Sequence, residues 1–100
     1  MKTVYWKAYN HAKTGDHAAM TLALMEIDTK QRKALLSSTH GDNPTTMIHT
    51  AAYNGNLECV RELIRLGAPT TVENGYGELP LDCAEECGNA EIIELLSNHS

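Results

Sequence analysis

A chain of 100 residues with 42% apolar and 21% charged side chains has room for one domain with one modest core, and it is too apolar for disorder. No apolar run approaches the roughly 18 residues of a membrane span, and no apolar leader with a small-residue cleavage site opens the chain. A net charge of −5 argues against nucleic-acid binding, and three cysteines, an odd number, fit a reducing compartment better than a disulfide framework, so a cytoplasmic protein is expected.

The first stretch predicts a helix over Trp6–Thr14, a turn at Gly15, and a second helix over His17–Met25 capped by Asp16. Tyr5, Trp6 and Tyr9 gather on the first of these, either as a lid over the core or as an exposed aromatic patch for self-association or a partner. Thr29–Ser38 reads as an extra helical piece that holds Leu35 and Leu36 against the rest.

A short helix follows with Ile48, Ala51 and Ala52 at i, i+3 and i+4, one small apolar side. Gly55 stops it, and Asn56 is placed to cap a second helix that has Glu58 in its first turn and a stripe of Leu57, Val60, Leu63 and Ile64. Gly67 ends that helix, and Ala68-Pro69 leads into the polar segment Thr70–Glu78, a loop or tight hairpin around Gly75 and Gly77. The last stretch repeats the scheme, with Pro80 early in a helix, Leu81 and Ala84 on its small side, a stop at Gly88, and Asn89 capping Ala90–Leu96.

The scheme is an internal repeat. A shift of 33 residues pairs Ile48 with Leu81, His49 with Asp82, Ala51 with Ala84, Gly55 with Gly88, Asn56 with Asn89, Val60 with Ile93 and Leu63 with Leu96. Ala12-Lys13-Thr14-Gly15-Asp16 echoes Ala52-Tyr53-Asn54-Gly55-Asn56 at a shift of 40, the extra residues falling in Thr29–Thr39. Helix pairs of this size bury one face only against neighbours, so they stack.

Thr46-Met47-Ile48-His49-Thr50-Ala51-Ala52, the Gly55-Asn56 turn, and Gly77-Glu78-Leu79-Pro80-Leu81-Asp82-Cys83-Ala84 with Gly88-Asn89 resemble the ankyrin repeat family. The resemblance implies an all-α helix-turn-helix solenoid of three repeats with short β-hairpin or loop fingers at Gly41–Thr45 and Glu73–Glu78. Its repeats would run over about 4–40, with an insertion at 29–39, then 41–73 and 74–100, the outer two acting as caps. It implies a protein-interaction module (adaptor, inhibitor or assembly subunit) whose contacts lie on the fingers and the concave side of each first helix. Matched by position, these contacts are Lys13 and Thr14; Asp42, Asn43, Thr45, Tyr53 and Asn54; and Glu73, Tyr76, Glu78, Glu86 and Cys87.

Tyr53 and Tyr76 are either anchors for a partner or covers for neighbouring helices. The charge is uneven. Residues 1–40 hold six Lys/Arg against three Asp/Glu, and residues 41–100 hold Arg61 and Arg65 against ten acids. That division either steers a basic partner toward the acidic part or is simply a solvated surface. Cys83 and Cys87, four apart on one helix, read as core filler and a surface thiol, with a metal- or redox-responsive pair as the alternative. His49 and Asp82 are expected to hydrogen-bond nearby backbone at a helix start. No Ser-His-Asp set, phosphate loop or convergent zinc ligands are readable, so no enzyme, metal or cofactor is expected. Met1 and the polar ending Ser97–Ser100 are what a complete chain would have, and a monomer is expected.

Overall fold

A computed structural model describes the backbone of residues 2–37 and 45–99 and the side chains of residues 4–37 and 45–98. Within these residues the helices run in order as α1 (Lys2–Thr14), α2 (His17–Leu24), α3 (Thr29–Ser37), α4 (Met47–Tyr53), α5 (Leu57–Arg65), α6 (Pro80–Cys87) and α7 (Ala90–His99). Three antiparallel pairs, α1–α2, α4–α5 and α6–α7, stand side by side. The first helices form one row in the order α1, α4, α6, and the second helices form another in the order α2, α5, α7.

Each turn inside a pair is made the same way. The chain leaves α4 at Gly55 with φ +74° and leaves α6 at Gly88 with φ +79°. A side chain in that left-handed region costs about 1–2 kcal/mol, which is why glycine stands at both corners. Asn56 N–H then closes on Ala51 O at 2.9 Å, and Asp16 N–H closes on His11 O at the same distance. Asp16 caps α2 through its side chain, accepting from Ala19 N–H, and Asn89 Oδ1 accepts from Glu91 and Ile92 N–H at the start of α7.

Asn56 departs from its expected role. It stands at the N-cap position of α5, yet its side chain makes no cap bond. Instead Nδ2 donates to Ala12 O at 2.7 Å and to Lys13 O at 3.2 Å, carbonyls of the last turn of α1 that have no partner within their own helix. The same residue therefore satisfies the preceding helix pair rather than its own helix.

The core is the strip between the two rows. Ala8, Ala12, Ala51, Ala52 and Ala84 let the first helices approach closely, and Met20, Leu24, Val60, Leu63, Ile92 and Leu96 fill the space behind them. The expected extra helix is α3, and Leu35 and Leu36 are buried in this core. Asp28 Oδ1 caps it through Gln31 N–H, and Arg32 donates from Nε to Leu24 O and from Nη2 to Ile27 O, so α3 is tied under the C-terminal end of α2.

The expectation of β-hairpin fingers is corrected by the structure. No strand occurs among the described residues, and 70–79 is a chain of bends and turns. The cause is Asn74, which is buried. Its Oδ1 accepts from Tyr76 N–H and Glu78 N–H, while its own N–H donates to Glu78 O. An Asn side chain that takes up the backbone donors of the returning arm substitutes for a strand ladder. Of the other expected finger, residues 41–44 lie outside the described residues.

Candidate partner-binding groove

The row α1, α4, α6 and the loop 70–79 enclose a cavity of about 400 Å³. Its walls begin with α1. Tyr5 is fully buried, Trp6 is partly exposed, and Tyr9 lies between them, with ring centroids 5.0–5.9 Å apart. The aromatic group is thus a lid at Tyr5 and a surface at Trp6, with Tyr9 turned to the cavity. The Tyr9 hydroxyl accepts from Thr50 Oγ1 at 2.9 Å and lies 3.2 Å from Thr45 Oγ1, which fixes the ring against α4.

The opposite wall is built by His49 and the loop. His49 is fully buried on α4. Nε2 lies 2.8 Å from Glu78 O, which can only accept, so Nε2 carries the proton and Nδ1 accepts from the Thr46 hydroxyl at 2.6 Å. Burial holds its pKa below the ordinary value near 6.5, against the raising influence of Glu78 O and nearby carboxylates, so the ring is neutral at pH 7. Through this one side chain, α4 grips the loop carried by the next helix pair. Asp82, its counterpart on α6, stays at home and accepts from Leu79 N–H at 2.9 Å. The expectation of local backbone bonding holds for Asp82 and falls short for His49, which bonds a side chain and a distant loop.

Of the positions expected to meet a partner, Lys13, Thr45, Tyr53, Asn54, Tyr76 and Glu78 line the cavity. Thr14, Glu73, Glu86 and Cys87 are exposed and do not line it, and Asp42 and Asn43 lie outside the described residues. Tyr53 and Tyr76 are 57% and 71% exposed, so neither serves mainly as cover for a helix. Tyr9, His49, Thr50, Asn74 and Cys83 also line it and were not among the expected contacts. Tyr9 had a signal, since it precedes Lys13 by one helical turn and so shares its face.

The charge inside the groove is polarised. Lys13 stands on the α1 side, while Glu78, Glu86 and Asp82 all act on the Cys83 thiol at the other end. Burial first, and these carboxylates second, push that thiol up to about 11, so it stays protonated at pH 7. A thiol held protonated in this way lends no support to a Cys83–Cys87 redox pair. Among the described residues no group of three His, Cys, Asp or Glu is placed to hold a metal ion, and no helix is long and apolar enough to cross a membrane.

A family model described as "Ankyrin repeats (3 copies)" matches residues 8–100. The chain is 41% identical over 58 residues to the tyrosine-protein kinase Shark of Drosophila melanogaster, a match covering 58% of this chain and 6% of the kinase. It is 36% identical over 73 residues to human cyclin-dependent kinase inhibitor 2A, covering 65% of this chain and 47% of the inhibitor. A putative ankyrin repeat protein of Rickettsia bellii is 30% identical over 69 residues, covering 69% of this chain and 40% of that protein. The chain therefore spans less than half the length of each of these relatives. The period, the glycine corners, the paired helices and the family match agree: the chain belongs to the ankyrin-repeat family, whose stacks bind other proteins.

Proposed function

We propose that the chain is a cytoplasmic, monomeric adaptor, inhibitor or assembly subunit, built as one domain of three repeats, that docks a partner protein with a basic surface in the groove of α1, α4 and α6. The observation that carries this is the pair of exposed rings, Tyr53 and Tyr76, on walls held by partly buried hydrogen bonds. Tyrosine offers large contact area with few rotatable bonds, and a rigid wall loses little entropy on docking. Lys13, Thr14, Glu73, Glu86 and Cys87 form the polar rim, and the loop 70–79 is the finger that closes on the partner. The net charge of −5 favours a protein over a nucleic acid. Two of the relatives are a kinase and a kinase inhibitor by name, so the scaffold serves in different settings and the role assigned here stops at docking.

The test is affinity capture from native extract, identification of the captured protein by mass spectrometry, and titration of it against the chain and its Tyr53→Ala/Tyr76→Ala variant. Anchors of this kind contribute about 1–2 kcal/mol each, so a loss of tenfold or more is expected, with the circular dichroism spectrum unchanged. Equal affinity of the two forms overturns the groove.

A further inference from the structure

The groove is not uniform, and its polarity points to a ligand. Tyr53, Tyr76 and Glu78 line the same cavity, and Glu78 Oε1 accepts from Asn74 Nδ2 at 3.1 Å. Asn74 is itself buried and bonded to the loop backbone, so this carboxylate is held rather than free to swing. Asp82 and Glu86 add negative potential at the same end, and the only lysine among the lining residues, Lys13, is across the cavity on α1. A half-buried carboxylate in a cavity that two exposed tyrosines also line is a setting in which a planar cation gains from ring and carboxylate together.

We propose that this end of the groove receives an arginine side chain of the partner, its guanidinium stacked between Tyr53 and Tyr76 and paired with Glu78. This rests on the docking reading above and sharpens it from a basic surface to one residue type. Arginine fits better than lysine, because its planar fork matches a fixed carboxylate and stacks on aromatic faces, whereas an ammonium keeps more of its water. Lys13 directs the cation away from α1 and offers the partner's acidic flank a counter-charge.

The probes are N-acetyl-arginine methylamide and its isosteric, uncharged citrulline counterpart, titrated to millimolar concentrations against the isotope-labelled full chain by NMR. Arginine is expected to shift the Tyr53 and Tyr76 ring resonances and citrulline to leave them in place. Glu78→Gln, which keeps the Asn74 bond and removes the charge, is expected to weaken the response at least threefold, and Tyr76→Ala to abolish it. Equal response to the two compounds, no response to arginine, or a response that survives Tyr76→Ala overturns the proposal. The two readings fail separately. Partner affinity lost in the tyrosine double variant, with no preference for arginine, keeps the groove and removes the arginine. Arginine selectivity with partner affinity unchanged keeps the cation pocket and moves the partner elsewhere.

Discussion

In the helix pair α4–α5, His49 spans from Thr46 at its own helix start to Glu78 in the following loop, Asn56 reaches back to the end of α1, and Ile48 is fully buried between neighbours. In α6–α7 the matching residues turn inward: Asp82 serves Leu79, Asn89 caps its own helix, and Leu81 is only half buried. The two pairs share a backbone plan and differ in what their polar side chains are for. A pair with neighbours on both sides spends its hydrogen bonds on the joints, while a pair with a neighbour on one side within the chain spends them on its own helix ends. Stability in such a stack is therefore partly a property of interfaces, and equivalent substitutions should have unequal consequences.

The largest contrast is expected from the apolar pair. Ile48→Ala opens a cavity at a site packed from both sides and should cost about 2–5 kcal/mol, while Leu81→Ala should cost about 1–2 kcal/mol. Urea unfolding of both variants measures this, and equal losses would mean that the interfaces on the two sides of α4 carry no special weight. Next come the polar counterparts. His49→Ala removes a helix-start bond and a joint bond from a buried site and should cost about 2–4 kcal/mol, against about 1 kcal/mol for the helix-start bond lost in Asp82→Ala.

The same histidine sharpens the comparison through pH. Its pKa is lower in the folded chain than the ordinary value near 6.5, so the unfolded chain takes up the proton first. The stability it confers is complete above about pH 6.5 and declines as pH falls below that, with a slope of at most about 1.4 kcal/mol per pH unit. The Asp82→Ala variant, which removes a carboxylate that raises the His49 pKa, should keep or deepen this decline between pH 7.5 and 5, and His49→Ala should lose it. Glu62, held below the usual carboxylate value chiefly by its hydrogen bond from Arg65, loses its contribution only as pH falls below about 4.5, outside that window.

The smallest contrast lies at the corners. Gly88→Ala should cost about 1–2 kcal/mol for its left-handed backbone, since nothing lies within 4 Å of the added carbon. Gly55→Ala carries the same backbone cost and also brings its new carbon to 3.0 Å from Cys87 Sγ, so it should cost more. Repeating both in a Cys87→Ala background should bring them level, and a persisting difference would assign it to the backbone instead.

Helix pairs, corners and the extra helix were all legible in the sequence, because a 3.6-residue apolar stripe, a glycine and an Asn or Asp cap are local signals that act within a few residues. The groove was legible by half. Lys13, Tyr53, Asn54, Tyr76 and Glu78 fall on the cavity because the repeat register fixes which side of a helix faces inward. Tyr9 was lost among its aromatic neighbours, since Tyr5 and Tyr9 share one helical face and only packing against Thr50 tells which ring turns to the cavity.

The amino-acid order by itself determined that this chain is a stack of helix pairs with glycine corners, since each unit's apolar face has nothing to bury against except a copy of itself. Only the tertiary structure decided how the loop 70–79 closes and where His49 and Asn56 direct their hydrogen bonds. Those choices depend on which donor or acceptor a neighbouring unit leaves unpaired, and that information belongs to two segments distant in the chain rather than to either one alone.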